Sequence, residues 1–194
     1  MFEAFRLLVS PVGTWEKIAK ANRSVVASFL LFLLPLILFT SLVESYALIR
    51  WGYRRGQFDG MATASQGQAV RYGLTQVVLE LAMVFIGAQL LQWIVGTAAD
   101  RRNYTRCFTT VAYSLGPVFL SHLLDSFPAM NTWVCWAIGM TLSSSALYLA
   151  VPRVLQPDQT KGFGVYLVAL LELILLSGIC HLVVLSTLDG RVFG

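Results

Sequence analysis

Charge is what this sequence has least of. Only 12% of its 194 residues are charged, about half of the roughly 25% that a water-facing domain carries. That shortfall argues against a soluble globular fold. Histidine occurs twice and cysteine three times. Cys107, Cys135 and Cys180 show no CxxC spacing, so neither a disulfide framework nor a zinc ribbon is indicated. There is no HExxH, no GxSxG and no phosphate-cradling glycine loop in a suitable context, and the enzyme classes that depend on them have no support. No basic run with interleaved aromatics points to nucleic acid. The reading is therefore of a protein that is not an enzyme, with no cofactor and no metal centre.

What is present is apolar and arranged in blocks. Hydrophobic residues make up 57% of the chain, and the mean hydropathy is +0.69. Short loops, several of them basic, separate five long apolar stretches, the pattern of a polytopic membrane protein. The expected fold is all-α, with spans at about 25–49, 70–96, 107–126, 132–152 and 163–187. Residues 1–24 form a separate amphipathic leader ahead of a transmembrane domain at 25–194. The first block follows a charged leader and exceeds the ~7–15-residue apolar core of a signal peptide, so it reads as a retained anchor. In the leader, Phe2, Phe5 and Leu8 share one helical face, and Trp15, Ile18 and Ala19 form another opposite Glu16, Lys17 and Lys20. Two short helices in the membrane interface fit this pattern, with Trp15, Phe2 and Phe5 as anchors at headgroup depth. A frayed cytosolic tail is the plainer alternative.

Two prolines fall inside spans. Pro35 and Pro117 are expected to kink the first and third, each removing a backbone donor. For orientation, Arg6, Lys17, Lys20, Arg23, Arg101, Arg102, Arg106, Arg153 and Lys161 lie on the leader's side of the bilayer. Arg50, Arg54, Arg55, Arg71 and Arg191 lie on the other. The excess places the N-terminus in the cytoplasm and the C-terminus outside.

Ionisable groups within the spans are the candidate functional residues, because each costs a few kcal/mol in lipid unless it faces a partner or a cavity. At about 1.5 Å per residue, Glu80 and Glu172 lie roughly 15 Å deep, near the midplane. The same count leaves Glu44, His122, Asp125 and His181 near the outer boundary. Gln76 precedes Glu80 by one helical turn on the same face. Facing each other, Glu80 and Glu172 would form an ion or proton site, with the imidazoles as its rim. The alternative is that each is a protonated packing residue, and that the outer four are ordinary boundary residues. His122 and Asp125 sit three apart in 111-VAYSLGPVFLSHLLDSFP-128 and can face one way, although a metal site wants three or four ligands.

Several short motifs together resemble a known family. Ser10, Pro11, Thr14, Trp15, Ile18 and Ala19 give Ser-Pro-x-x-Thr-Trp-x-x-Ile-Ala. Ala112, Tyr113 and Pro117 give a central Ala-Tyr-x-x-x-Pro, followed by Pro128, Leu147-Tyr148 and Val151-Pro152. The chain resembles the bacterial branch of the Yip (Ypt-interacting protein) family of small five-span membrane proteins. The resemblance implies a multi-pass protein of the bacterial inner membrane without catalytic residues. Eukaryotic members sit in Golgi and endoplasmic-reticulum membranes, bind prenylated Rab-type GTPases and serve trafficking or membrane shaping. Their Asp-Leu-Tyr-Gly-Pro motif and long N-terminal region have no counterpart here.

Two functions are expected on these grounds. One is a non-enzymatic organiser of membranes or partner proteins, in contact with the lipid bilayer, a membrane or cytosolic protein, or copies of itself. The other is a small transporter or channel subunit passing protons or a divalent cation through Glu80 and Glu172.

Overall fold

The computed structural model describes residues 2–54, 61–95, 101–157 and 160–188. Arg55, Gly96 and Arg191 lie outside the described residues, as do the side chains of Phe2, Leu8, Arg54, Arg101 and Arg102. Two short leader helices, α1 (Phe2–Val9) and α2 (Pro11–Ala21), precede the spans. The spans are α3 (Val25–Arg50), α4 (Gln66–Ile94), α5 (Arg101–Ser114) continued by α6 (Gly116–Asp125), α7 (Thr132–Leu155) and α8 (Gly162–Leu188). Five helical stretches are thus long and apolar enough to cross a bilayer, as expected. Beyond them, β1 (Tyr53–Arg54) and β2 (Met61–Ala62) form one two-residue antiparallel pairing in the α3–α4 connection.

The span ends follow capping chemistry. Ser24 accepts the amide of Ala27 at 3.2 Å and opens α3. Ser65 and Gln68 form a reciprocal capping box, so α4 starts four residues earlier than its apolar pattern does. Such a box satisfies two amides that the first helical turn would leave bare. Asn131 caps α7 by accepting the amide of Trp133 at 2.9 Å.

Prolines within the spans are accommodated by π turns at two places and by a break between helices at a third. Phe29–Leu33 is a π turn that ends just before Pro35. Val151–Leu155 is another, containing Pro152, and it carries α7 to Leu155. Wider turns of this kind admit a residue that cannot donate to the ordinary ladder. At Pro117 the third span divides into α5 and α6 at Leu115, while Leu115 still donates to Val111 O at 3.0 Å.

The third span is the axis of the molecule. Its most apolar stretch is 89% buried inside the protein, against 28–44% for the other four. It is also less apolar than its neighbours, because its surroundings are protein and not lipid. Around it, α4 packs against α3, α5 and α8, and α6 packs against α3 and α7. At the far end of the bundle from the leader, Gly139 on α7 lies against α6 so closely that a Cβ would come within 2.9 Å of Val118 Cα. Only glycine allows that approach.

The leader does not stand apart from the spans. Leu7, Trp15 and Ile18 belong to the same buried cluster as Phe32, Phe108, Tyr113 and Phe119. Trp15 meets the Tyr113 ring edge-on at 6.3 Å, and Phe32 stacks on the same ring at 4.0 Å. The sequence reading gives Trp15 to the lipid headgroups, whereas its side chain is wholly buried in protein. The reason is that Tyr113, itself stacked on Phe32, offers it an aromatic surface, a contact between segments distant in sequence. Phe5, by contrast, is exposed.

Candidate functional site

Four helices bring polar side chains together in the half of the bundle away from the leader. α3 supplies Glu44, α4 supplies Tyr72, Gln76 and Glu80, and α6 supplies His122 and Asp125. His181 of α8 stands beside them, its ring centroid 6.4 Å from that of His122. Tyr72, Gln76 and Glu80 follow one another at four-residue intervals, so they line one face of α4.

His122 is the hub. Its Nε2 lies 3.0 Å from Glu80 Oε1, and its Nδ1 lies 3.3 Å from Glu44 Oε2 and 3.6 Å from Asp125 Oδ2. Glu44 also accepts from Gln76 Nε2 at 2.8 Å and from the Tyr72 hydroxyl. A neutral imidazole has one donor and one acceptor nitrogen. With a carboxylate on each side, the ring is matched either as an imidazolium or with a protonated carboxyl returning a proton to it. The group can therefore hold or pass protons without large movement.

Depth counting separates Glu80 from His122, yet they touch. Side chains tilt toward the N-terminus of their own helix. α4 and α6 run antiparallel, so Glu80 leans toward the far end while His122 leans toward the leader end. The two heads converge from different heights. A count along each helix cannot see this.

Glu172 does not join the group. Its Oε1 lies 3.4 Å from the position a Cβ on Gly87 would occupy. Gly87 is seven residues along α4 from Glu80, about 10 Å nearer the leader end. The facing pair of midplane carboxylates is thus replaced by a Glu80–His122 contact and a separate Glu172. His181 contacts Thr132 Oγ1 at 3.2 Å and lies edge-on to Trp133 at 4.8 Å.

Several buried atoms of the group make no well-formed hydrogen bond within the protein: both Glu80 oxygens, Gln76 Oε1, Asp125 Oδ1 and His122 Nδ1. A cavity of about 20 Å³ adjoins Glu80, Gln76, His122 and His181, enough for about one water-sized occupant. Ligand atoms of Glu44, His122 and Asp125 all lie within 4.8 Å of one another. These are suitable donors for a small cation.

Tyr72 was not among the residues singled out from the sequence. Its signal was its place one turn before Gln76 and two before Glu80.

Five spans, a leader held by Trp15 against Tyr113, and the break at Pro117 make one continuous unit, and one family model covers it. The Yip1 domain matches residues 5–192, nearly the whole chain. The chain belongs to the Yip1 domain family. Neither a curated protein nor a solved structure matches it. The Yip1 domain here is a multi-pass membrane protein, and the family match includes the buried polar group and the leader from residue 5 onward.

Proposed function

We propose that this Yip1 domain is a non-enzymatic organiser of its membrane, acting through its leader. One observation carries the reading. Leu7, Trp15 and Ile18 fix the leader into the core, while Phe5, Val9 and Val12 remain exposed. A short helix pair held by the spans and presenting apolar side chains outward acts as a wedge in one leaflet. The positive-inside bias favours the cytoplasmic leaflet of a bacterial inner membrane for it. A buried polar group adjoining a cavity of about 20 Å³ suits structural cohesion better than bulk flux.

The test is vesicle shape. Full-length protein reconstituted in phosphatidylcholine vesicles is expected to narrow or tubulate them, as seen by electron cryomicroscopy. The Phe5→Ser/Val9→Ser/Val12→Ser variant is expected to lose this effect with its unfolding midpoint unchanged. Vesicles indifferent to the wild type would remove the proposal.

The geometry of Glu44, His122 and Asp125 favours a second reading, a divalent-cation site within the bundle. Titration with Mn²⁺ or Zn²⁺ is expected to raise the unfolding midpoint of the wild type and not that of Glu44→Gln. Equal response of both proteins counts against it.

A further inference from the structure

Basic side chains converge beside the leader, and nothing in the proposed wedge requires them. A groove of about 570 Å³ opens between α2, α5 and the end of α7, lined among the described residues by Lys20, Arg23, Arg106 and Arg153 together with one carboxylate, Glu16. A neighbouring recess of about 240 Å³ shares Arg23 and Thr109 with it and adds Lys17. The cations come from separate elements: Lys20 from α2, Arg23 from the α2–α3 link, Arg106 from α5 and Arg153 from the last turn of α7. The tertiary fold therefore collects them.

Two of the guanidinium groups are held in place. Arg23 Nη1 donates to the Tyr113 hydroxyl at 3.3 Å, and Arg153 Nη1 donates to Leu149 O at 3.0 Å. Arg23, Arg106 and Arg153 are partly buried. Among the described residues, Lys20, Arg106 and Arg153 make no ion pair. Positive charge gathered in a partly sheltered groove, with Glu16 as the acid among its described lining residues, attracts a multivalent oxyanion.

Its place in the fold narrows the ligand. The groove lies where α3, α5 and α7 have their leader-side ends, and so at headgroup level in a membrane. Ile18, Ala19, Pro152 and Val154 give it an apolar side, suited to the glycerol and first methylenes of a lipid. Its volume falls within the ~300–1,000 Å³ of ordinary ligand sites. Basic pockets between membrane helices take anionic headgroups in the same way.

We propose that this groove binds the phosphate of an anionic phospholipid headgroup, with Arg106 and Arg153 as its principal contacts. The site goes beyond the wedge and stands whether or not the leader shapes membranes.

The test uses the full-length protein in phosphatidylcholine nanodiscs with and without phosphatidylglycerol, with bound lipid read by native mass spectrometry. The wild type is expected to retain phosphatidylglycerol in preference to phosphatidylcholine. Arg106→Gln/Arg153→Gln is expected to lose affinity by about tenfold or more, since each cation near the surface contributes on the order of 1 kcal/mol. Arg50→Gln/Arg71→Gln, which removes equal charge from the far end, is expected to retain the wild-type preference. Arg106→Gln alone, folded by circular dichroism, gives the same reading if the double variant does not fold. Displacement of the lipid by inorganic phosphate supports the anion site and assigns it a soluble phosphate source. No preference in the wild type, or equal losses in the groove and far-end variants, overturns the proposal.

Discussion

The central span passes through two interiors of opposite character. Near the leader its own Phe108 and Tyr113 are buried together with Trp15 and Phe32 from the leader and the first span. Beyond Pro117 the same span presents His122 and Asp125 to Glu44, Glu80 and Tyr72. One half coheres through volume and aromatic contact, the other through charges whose pairing must balance. Defects in the first should be graded by the space they leave. Defects in the second should depend on which partner remains.

His122→Ala is the severest test of this contrast. It leaves three carboxyl groups buried without their common partner, and removing one member of a buried pair costs about 3–5 kcal/mol. Adding Glu44→Gln and Glu80→Gln is expected to restore much of the loss, measured by equilibrium unfolding in detergent micelles. A single-variant cost near that of a surface ion pair, below about 1 kcal/mol, would dissolve the distinction.

In the aromatic half, Trp15→Ala should cost about 3 kcal/mol through lost contacts and the space left behind. The polar substitutions should not rescue it, and the double variant with His122→Ala should be additive within about 0.5 kcal/mol because the sites share no partner. Strong coupling would show that the two interiors act as one.

Glu172→Gln is the mildest change. Glu172 lies apart from the His122 group with both carboxyl oxygens buried and without a partner, so replacing it by a neutral amide should leave stability unchanged or raise it. A shift comparable with that of His122→Ala would place Glu172 in the polar group.

The five spans were legible because hydrophobic run length is a local property. Their ends were less so: α4 begins at a capping box, and α7 continues through Pro152 by a π turn. The candidate residues were legible one by one, since an acid or imidazole in an apolar run stands out wherever it falls. Their grouping was not. Depth alone pairs Glu80 with Glu172, whereas antiparallel helices lean their side chains toward each other and join it to His122. In sequence Trp15 faces lipid, because its neighbours give no hint of Tyr113, almost a hundred positions away.

The sequence alone therefore determined that this chain crosses a membrane five times and carries the Yip-type motifs, both consequences of composition and short-range order. Tertiary structure decided which acid meets which imidazole, that the leader is seated in the core, and that four cations border one groove. Those outcomes depend on helix direction, register and rotation, which arise only when distant segments pack together.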